Sequence, residues 1–285
     1  IMGDGNALNL RRDLPALWLD TFASPLFSQV TEGAPSEPGF TATGKRETDL
    51  LTPYTRALTL VGRRSFLDRL NAWLDDPAPV SVTAVIGGGG RGKTRVALEL
   101  CREAAARGWL AGFVTRDELA RFRGETAVAT WGWPKPTLVV VDYAAAKAEA
   151  LRGWLDDLTR HAAAWNVPEH PKLRLLLLER HGARASGWMA RLVGDDASSR
   201  AARLVHRDAP LTLGALATPE DRRAVFAEAY RLARGEGPPA FADLDRALAE
   251  QSAGGEPLLV ALSGLHAARR GLAGALAERS GELAL

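Results

Sequence analysis

A glycine-rich segment in the first third of the chain combines the residue types that hold a phosphate group. It reads Gly87, Gly88, Gly89, Gly90, Arg91, Gly92, Lys93 and Thr94, and is called the glycine loop below. Closely spaced glycines let backbone N–H groups converge on phosphate oxygens, and a following helix adds its positive N-terminal end. The pattern predicts that Lys93 reaches the β and γ phosphates and that the Thr94 hydroxyl ligates Mg²⁺. Arg95 completes the predicted nucleotide-binding set.

A second motif is an apolar run that ends in a carboxylate. Leu138-Val139-Val140-Val141-Asp142 is typical of a buried strand of Walker B type, which predicts Asp142 as a magnesium ligand and catalytic residue. Many hydrolytic proteins with this pattern place a second carboxylate next, to orient the attacking water, and here Tyr143 occupies that position. We therefore expect hydrolysis to be slow or to use another residue. Possible substitutes, each also interpretable as a solvated surface carboxylate, are Asp117, Glu118 and Glu149.

A third apolar run, Leu173 to Leu178, is followed by Glu179, Arg180 and His181. Open α/β sheets bind ligands at the carboxyl ends of their strands, so Arg180 is a candidate sensor of the γ-phosphate. A surface ion pair with Glu179 or another neighbour is the alternative interpretation of this arginine. The remaining histidines show no paired metal-ligand spacing, and no serine or cysteine nucleophile motif is present.

These residues need a parallel sheet to hold them. A β-branched run, Val80 to Ile86, precedes the glycine loop, and helical periodicity follows it from Lys93 to Arg107. Further short apolar runs lie at Trp109 to Val114 and Thr137 to Asp142, separated by stretches of helical length. Alternation of this kind predicts an α/β fold with a central parallel sheet flanked by helices. Because a strand precedes the loop and a helix follows it, an accidental glycine-rich turn is disfavoured.

The two ends of the chain differ from this core. Thr31 to Lys45 is rich in Gly, Pro, Ser and Thr, which is typical of a linker. After about Leu211 the strand signals fade, and Thr218-Pro219 offers a cap and a first helical residue. Two more helices are predicted, around Phe241 to Ser252 and from Pro257 to about Arg269. The predicted domains are an N-terminal segment and linker over 1–50, a core over 51–210, and a small helical lid over 211–285.

Composition narrows the class of partner. The 36 basic and 34 acidic residues leave a formal charge of +2, which gives little electrostatic reason to expect nucleic acid or a membrane surface. No apolar stretch is long enough for a membrane helix, and no secretory signal is visible at the N-terminus. The single cysteine, Cys101, has no partner for an internal disulfide and lies in a predicted helix. A cytoplasmic setting is expected.

Taken together, the motifs resemble those of the STAND class, the signal-transduction ATPases with numerous domains that include NACHT and NB-ARC switches. Val61-Gly62-Arg63-Arg64 is similar to the family's hydrophobic-Gly-Arg-Glu motif, with Arg64 in place of the usual Glu. Arg180 stands at the position of the family's first sensor. Gly255-Glu256-Pro257-Leu258 is similar to the Gly-x-Pro motif of the helical lid. The resemblance covers roughly Leu51 to Arg270.

The resemblance implies roles for these residues and for the chain. Backbone at Val61, Gly62 and Arg63 would lie against adenine, and Pro257 would touch the nucleotide from the lid. ADP would hold a closed monomer, whereas ATP would open the lid and permit self-assembly under the control of sensor and effector domains. ATP is preferred over GTP because no Asn-Lys-x-Asp motif is present. The leading interpretation is a slow Mg-dependent ATPase switch; the alternatives are a nucleotide-locked scaffold and a remodelling ATPase of AAA+ type.

Overall fold

The structure is a computed structural model. It describes residues 6–7, 17–20, 51–125, 132–183, 186–193, 200–241, 243–251 and 255–277. The predicted linker at Thr31 to Lys45 lies outside these residues, as does Ser252 at the end of a predicted helix. The chain divides into two compact units, each built from three separate stretches of sequence. The first comprises Ile1–Ser24, Asp68–Gly88 and Ala97–Leu213, and the second comprises Pro25–Leu67, Gly89–Val96 and Gly214–Leu285.

The first unit is organised around a five-stranded sheet in which every pairing is parallel. With a separate two-stranded ladder at the N-terminus counted first, the strands are β1 (Asn6–Ala7), β2 (Trp18–Leu19), β3 (Val80–Ile86), β4 (Leu110–Phe113), β5 (Thr137–Asp142), β6 (Leu173–Glu179) and β7 (Leu211–Thr212). Their order in the sheet is β4-β5-β6-β3-β7. Strand β6 therefore lies between β3, which leads into the glycine loop, and β5, which ends at Asp142.

The sheet strands are buried on both faces, as their continuous apolar sequences require. The helices are α1 (Arg64–Asp75), α2 (Lys93–Ala106), α3 (Arg116–Glu125), α4 (Ala148–Arg160), α5 (Gly187–Val193), α6 (Pro219–Arg234), α7 (Leu244–Gln251) and α8 (Pro257–Ala277). In the first unit, α4 presents Leu151, Trp154, Leu155 and Leu158 to the core. Trp154 is fully buried and meets Phe122 of α3 edge to face.

Residues near the N-terminus also belong to this core. Leu17 and Leu19 are buried, and β2 pairs with β1 in an antiparallel ladder. Asp20 forms an antiparallel bridge with Phe113 of β4, with N–H···O distances of 2.8 and 2.9 Å. Gly112 allows this approach, because a Cβ there would lie 2.8 Å from the Asp20 carbonyl oxygen. The N-terminal segment thus supplies backbone partners to the outer edge of the sheet.

A buried cation closes the amino end of the sheet. Arg174 of β6 is fully buried, and its guanidinium donates to the carbonyl oxygens of Trp73, Asp76, Ala78 and Leu173. Burial lowers the pKa of Arg174 to about 10, so the side chain remains charged at neutral pH. The cation satisfies carbonyl groups that the turn between α1 and β3 would otherwise leave unpaired.

The second unit contains the three C-terminal helices. Helix α6 begins as the sequence predicted: the Thr218 hydroxyl oxygen accepts a hydrogen bond from the Asp221 backbone N–H at 3.1 Å, with Pro219 in the first turn. Helix α8 packs against α6 at a close crossing. A Cβ on Gly264 would lie 2.4 Å from the Phe226 carbonyl oxygen and 3.0 Å from the Ala229 Cβ, so only glycine fits this crossing.

The structure confirms the predicted α/β class, with a parallel sheet flanked by helices. One strand was not predicted. Leu211–Thr212 pairs with Val85 and Ile86 of β3 as the fifth strand of the sheet, although it lies where strand signals in the sequence fade. A strand of two residues is too short to show period-two alternation, and its pairing depends on the neighbouring β3.

The close crossing of α6 and α8 yields a stability prediction. Replacing Gly264 by Ala should lower the free energy of unfolding by about 1–3 kcal/mol, because the added methyl group forces the two helices apart. Gly124→Ala is the matched control, since a Cβ there meets no described atom within 4 Å and Gly124 is exposed. Denaturant unfolding followed by circular dichroism measures both variants. Equal stability of the two would contradict the crossing.

Candidate functional site

The carboxyl ends of three neighbouring strands bring candidate residues to one edge of the sheet in the first unit. In the β5–β6 register Asp142 lies opposite Leu178, and in the β3–β6 register Ile86 lies opposite Glu179. Gly87, Asp142 and Arg180 are therefore the residues that emerge at this edge from adjacent strands. Ligands of open α/β folds bind at this position. Three separate sequence motifs thus meet at one sheet edge.

Gly87, the first residue of the glycine loop, is fixed by two neighbours. Its N–H lies 3.2 Å from the carbonyl oxygens of both Glu179 and Arg180. A Cβ at Gly87 would lie 2.7 Å from the Leu213 carbonyl oxygen, closer than any real Cβ contact. Glycine is required here because the backbone after β7 passes where a side chain would stand. The start of the loop is therefore held by main-chain contacts.

From Gly89 onward the loop belongs to the second unit and has the conformation of an anion cradle. Gly90 and Gly92 have φ of +75° and +87°, in the left-handed region that other residues adopt at a cost. The Val96 N–H donates to the Gly92 carbonyl oxygen at 2.9 Å, which closes the first turn of α2. Lys93, Thr94 and Arg95 form that turn, where backbone N–H groups and the helix dipole favour an anion.

Asp142 has a defined orientation at the end of β5. Its Oδ1 accepts a hydrogen bond from the Tyr143 backbone N–H at 2.9 Å. The Lys147 ammonium donates to the Asp142 carbonyl oxygen at 2.6 Å, which ties the following turn to the strand. Tyr143 itself is 60% exposed and has φ of +54°. A left-handed conformation is uncommon for an aromatic residue and marks a strained turn directly after the carboxylate.

Arg180 is exposed at the same edge. The sequence left open an ion pair between Arg180 and Glu179, and the contacts of the carboxylate differ from that expectation. Glu179 accepts from backbone N–H groups, that of Ala145 at 3.0 Å and that of Arg180 at 2.6 Å. Among the residues that the structure describes, the Arg180 guanidinium has no carboxylate partner. The surface ion pair is therefore not what holds this arginine at the edge.

Arg63 is the most buried charged residue of the candidate set, with 6% of its surface exposed. Its guanidinium donates to the carbonyl oxygens of Gly214 at 2.8 Å, Ala215 at 3.2 Å and Arg91 at 3.4 Å. Burial lowers the pKa of Arg63, and the nearby Asp221 carboxylate partly opposes that change. All of these residues lie in the second unit. Arg63 thus joins the glycine loop to the segment that leads into α6.

The neighbouring residues of the Val61-Gly62-Arg63 motif have simpler surroundings. Val61 packs as a half-buried residue against the apolar core of the second unit. Gly62 has φ of +66°, and a Cβ there would lie 2.6 Å from Oδ2 of Asp221. The glycine is therefore needed for backbone shape and for space. The predicted adenine contact of this motif stays a prediction.

The Gly255-Glu256-Pro257-Leu258 segment contacts the glycine loop within the second unit. The Leu258 N–H donates to the Gly90 carbonyl oxygen at 3.2 Å, and Nε of Arg91 lies 3.4 Å from Oε1 of Glu256. Gly255 has φ of +96°, and its carbonyl oxygen accepts from the Leu216 N–H at 2.8 Å. Pro257 begins α8 and is half-buried. The sequence singled out this motif without revealing its direct contact with the loop.

Sequence reasoning missed the side-chain contacts of three charged residues. The Arg63 guanidinium, the Glu179 carboxylate and the Lys147 ammonium all bind backbone groups close to a motif. A carboxylate at a strand end is the signal that marked Asp142, and the same signal was available for Glu179. Arg63 and Lys147 carry no comparable sequence signal, because their partners are carbonyl groups that any residue provides.

Cys101 has no part in the site. Cys101 is buried in α2, and burial raises the pKa of its thiol well above the usual range, so it is an inert core residue. In the described part of the chain, no group of three or more His, Cys, Asp and Glu side chains could hold a metal ion. The roles of Thr94 and Asp142 as magnesium ligands stay predictions.

Comparisons with known proteins support the fold. No protein-family model matches the chain, and no curated protein matches it significantly. The Walker-type ATPase PABY2304 of Pyrococcus abyssi has a TM-score of 0.50 at 13% identity, over 77% of this chain and 71% of that one. AMPPCP-bound DnaA from Aquifex aeolicus has a TM-score of 0.47 at 13% identity, over 78% and 65%. The Orc1 protein of Aeropyrum pernix in complex with DNA has 0.45 at 17% identity, over 82% and 69%.

At these identities the likeness concerns the fold alone. The chain has the α/β fold of P-loop ATPases, and the motifs described above occupy its sheet edge and glycine loop. The charge-based expectation that nucleic acid is not a partner stays a prediction. No helix in the ranges that the structure describes is long and apolar enough to cross a membrane.

The contacts of Arg63 and Glu256 predict that the two side chains contribute very different amounts to the free energy of unfolding. Arg63→Met leaves three carbonyl groups without their donor in a buried setting and should cost about 3 kcal/mol of unfolding free energy. Glu256→Gln weakens a partly exposed ion pair and should cost less than about 1 kcal/mol. Equilibrium urea unfolding compares the two variants with the parent chain. Similar losses in both would show that the buried guanidinium is not the stronger link.

Proposed function

We propose that this chain binds ATP or ADP with Mg²⁺ through the glycine loop and acts as a P-loop ATPase. The observation that carries the proposal is the loop itself, which leaves β3, passes through two left-handed glycines and enters α2 at Lys93. At Gly89 neither a positive φ nor a described atom within 4 Å of a Cβ calls for glycine. Close approach of a ligand to the backbone explains that glycine better than packing does.

Four side chains have named roles in the proposal. Lys93 neutralises the outer phosphates, while the Thr94 hydroxyl and the Asp142 carboxylate hold Mg²⁺. Held by these two side chains, Mg²⁺ would offset the charge that develops during phosphoryl transfer. Asp142 fits this role because it is half-buried and oriented by the Tyr143 N–H. Arg180, exposed at the same sheet edge, senses the γ-phosphate.

The finer proposal is a signalling switch of the STAND class. It is supported by the contacts of the Gly255 to Leu258 segment with Gly90 and Arg91. In this scheme the core extends over 51–210 and the helical lid over 211–285, and exchange of ADP for ATP loosens the lid and permits self-assembly. Sensor and effector domains, fused or separate, set the signal. Pro257 touches the nucleotide, and Val61, Gly62 and Arg63 lie against adenine.

Two alternatives have an observation in their favour. Tyr143 replaces the usual second carboxylate, which favours a scaffold that keeps its nucleotide and hydrolyses it very slowly. A remodelling ATPase of AAA+ type is the other alternative, and the fold shared with a Walker-type ATPase is equally compatible with it. In that case DNA is a candidate partner. Binding of a fluorescently labelled DNA strand to the protein tests whether DNA is a partner.

Removal of Lys93 tests the nucleotide site. Lys93→Ala should weaken binding of ATP by about 10- to 100-fold, since charge-assisted hydrogen bonds contribute about 1.5–3 kcal/mol each. Lys135→Ala is the matched control, because Lys135 is exposed and lies just before the amino end of β5. Isothermal titration with Mg-ATP measures both. Unchanged binding in Lys93→Ala, or no binding by the parent chain at millimolar Mg-ATP, would contradict the proposal.

Mass in solution separates the switch from its alternatives. With ADP we expect a monomer, and with a non-hydrolysable ATP analogue we expect a larger assembly, measured by light scattering on a sizing column. A monomer with both nucleotides contradicts the switch and favours the locked scaffold. An assembly with both nucleotides favours the remodelling ATPase. Identification of nucleotide released on denaturation shows which state is isolated.

A further inference from the structure

Two carbonyl groups of the glycine loop, those of Gly90 and Arg91, are bound by donors from other segments of the second unit. The Leu258 N–H, in the first turn of α8, donates to the Gly90 carbonyl oxygen at 3.2 Å. Nη2 of Arg63 donates to the Arg91 carbonyl oxygen at 3.4 Å. The peptide groups on both sides of Arg91 are therefore held by their oxygen atoms.

The orientation of these two carbonyl groups also sets the orientation of the N–H groups that follow them. Both peptide bonds are trans and planar, so the C=O and N–H of each point in opposite directions. With the oxygens bound by Leu258 and Arg63, the N–H groups of Arg91 and Gly92 point away from these donors. The Gly92 N–H has no hydrogen-bond partner among the residues that the structure describes. It is therefore available to an anion bound in the loop.

Arg63 is itself fixed by a second set of contacts. Its guanidinium donates to the carbonyl oxygens of Gly214 at 2.8 Å and Ala215 at 3.2 Å, and the side chain is buried. The next residue, Leu216, donates its N–H to the Gly255 carbonyl oxygen at 2.8 Å. One short segment thus connects Arg63 to the residues that begin α8. The two donors that hold the loop are joined to each other, and the contacts form a closed ring.

The Arg91 side chain adds a weaker link to this ring. Its Nε lies 3.4 Å from Oε1 of Glu256, and the two side chains are 29% and 19% exposed. An ion pair that water reaches contributes little to stability. The Arg63 guanidinium, in contrast, is buried and bonds to carbonyl groups that would otherwise lose a donor. Arg63 is therefore the side chain on which the conformation of the loop depends most.

We propose that Arg63 and the Leu258 N–H are positioning groups of the phosphate cradle, which turn the N–H groups of Arg91 and Gly92 toward the phosphates of a nucleotide. The inference rests on the proposed function. It gives the Arg63 side chain a task separate from the adenine contact proposed for its backbone. Because the guanidinium binds three carbonyl oxygens at once, its planar, forked shape matters as well as its charge. A ligand with phosphates but no base should therefore depend on Arg63 as ATP does.

Tripolyphosphate with Mg²⁺ tests the cradle without a base. Arg63→Met should weaken the binding of tripolyphosphate and of Mg-ATP by a similar factor of about 10, the loss of one charge-assisted hydrogen bond. Arg63→Lys keeps the charge without the fork and should recover only part of the affinity. Arg269→Met, which removes an exposed arginine of α8, is the matched control and should bind as the parent chain does. Titration calorimetry measures each dissociation constant, and thermal unfolding shows that each variant is folded at that temperature.

Leu258 supplies a second pair of variants that decides the question even if Arg63→Met does not fold. Leu258→Pro removes the N–H that reaches Gly90, and proline is tolerated in the first turn of a helix. Leu258→Ala keeps this N–H and shortens a side chain that is 39% exposed. We expect Leu258→Pro to bind tripolyphosphate about fivefold more weakly than Leu258→Ala, the effect of one hydrogen bond. The affinity of Leu258→Ala should match that of the parent chain.

Several outcomes would overturn the inference. Equal binding of tripolyphosphate by Leu258→Pro and Leu258→Ala overturns it, as does full recovery by Arg63→Lys, which would mean that charge alone matters. A loss in Arg63→Met that is confined to Mg-ATP would assign the side chain to the base instead. Lower thermal stability with unchanged dissociation constants would mean a structural role only. A parent chain that binds Mg-ATP but not tripolyphosphate overturns this inference alone, whereas the nucleotide-binding proposal fails only if the parent chain does not bind Mg-ATP.

Discussion

The parallel hydrogen-bond ladder of β5, β6 and β3 is the constraint on which the candidate site depends. Parallel strands end at the same edge, so residues far apart in sequence arrive there together. A slip of one residue in the β6 register would turn Glu179 to the opposite face of the sheet and remove its backbone contact with Gly87. Register is strongly specified where strand faces are buried, as they are in β3, β5 and β6.

The features that sequence revealed are those encoded locally. A glycine loop between a β-branched run and a helical pattern contains its own strand, turn and helix signals, and so does the cap at Thr218. The fold class follows from such signals repeated along the chain. The short β7 strand could not be inferred, because its two residues become a strand only when β3 offers its edge. The order of the strands in the sheet could not be predicted, because it depends on pairing between distant segments and is not encoded locally.

The charged residues illustrate the opposite case. Arg63 and Arg174 are both buried cations whose partners are main-chain carbonyl groups, and such partners leave no mark on the sequence. An exposed pairing is the usual expectation for an arginine next to a glutamate, yet Glu179 turns to backbone amides. Wherever a turn leaves backbone groups unpaired, those groups compete with side chains for the charged residues. Only the folded chain shows which turns leave backbone groups unpaired.

The bridge between Asp20 and Phe113 affects how far the protein can be truncated. An open strand edge invites pairing with another chain. Strand β4 would present such an edge if the N-terminal residues that bridge it were absent. The residues that cover the edge of β4 begin near Leu17, well ahead of the glycine loop and of every other motif. A fragment trimmed to the motifs alone would therefore keep all the candidate chemistry and still be prone to aggregate, since its solubility depends on a stretch without any functional signature.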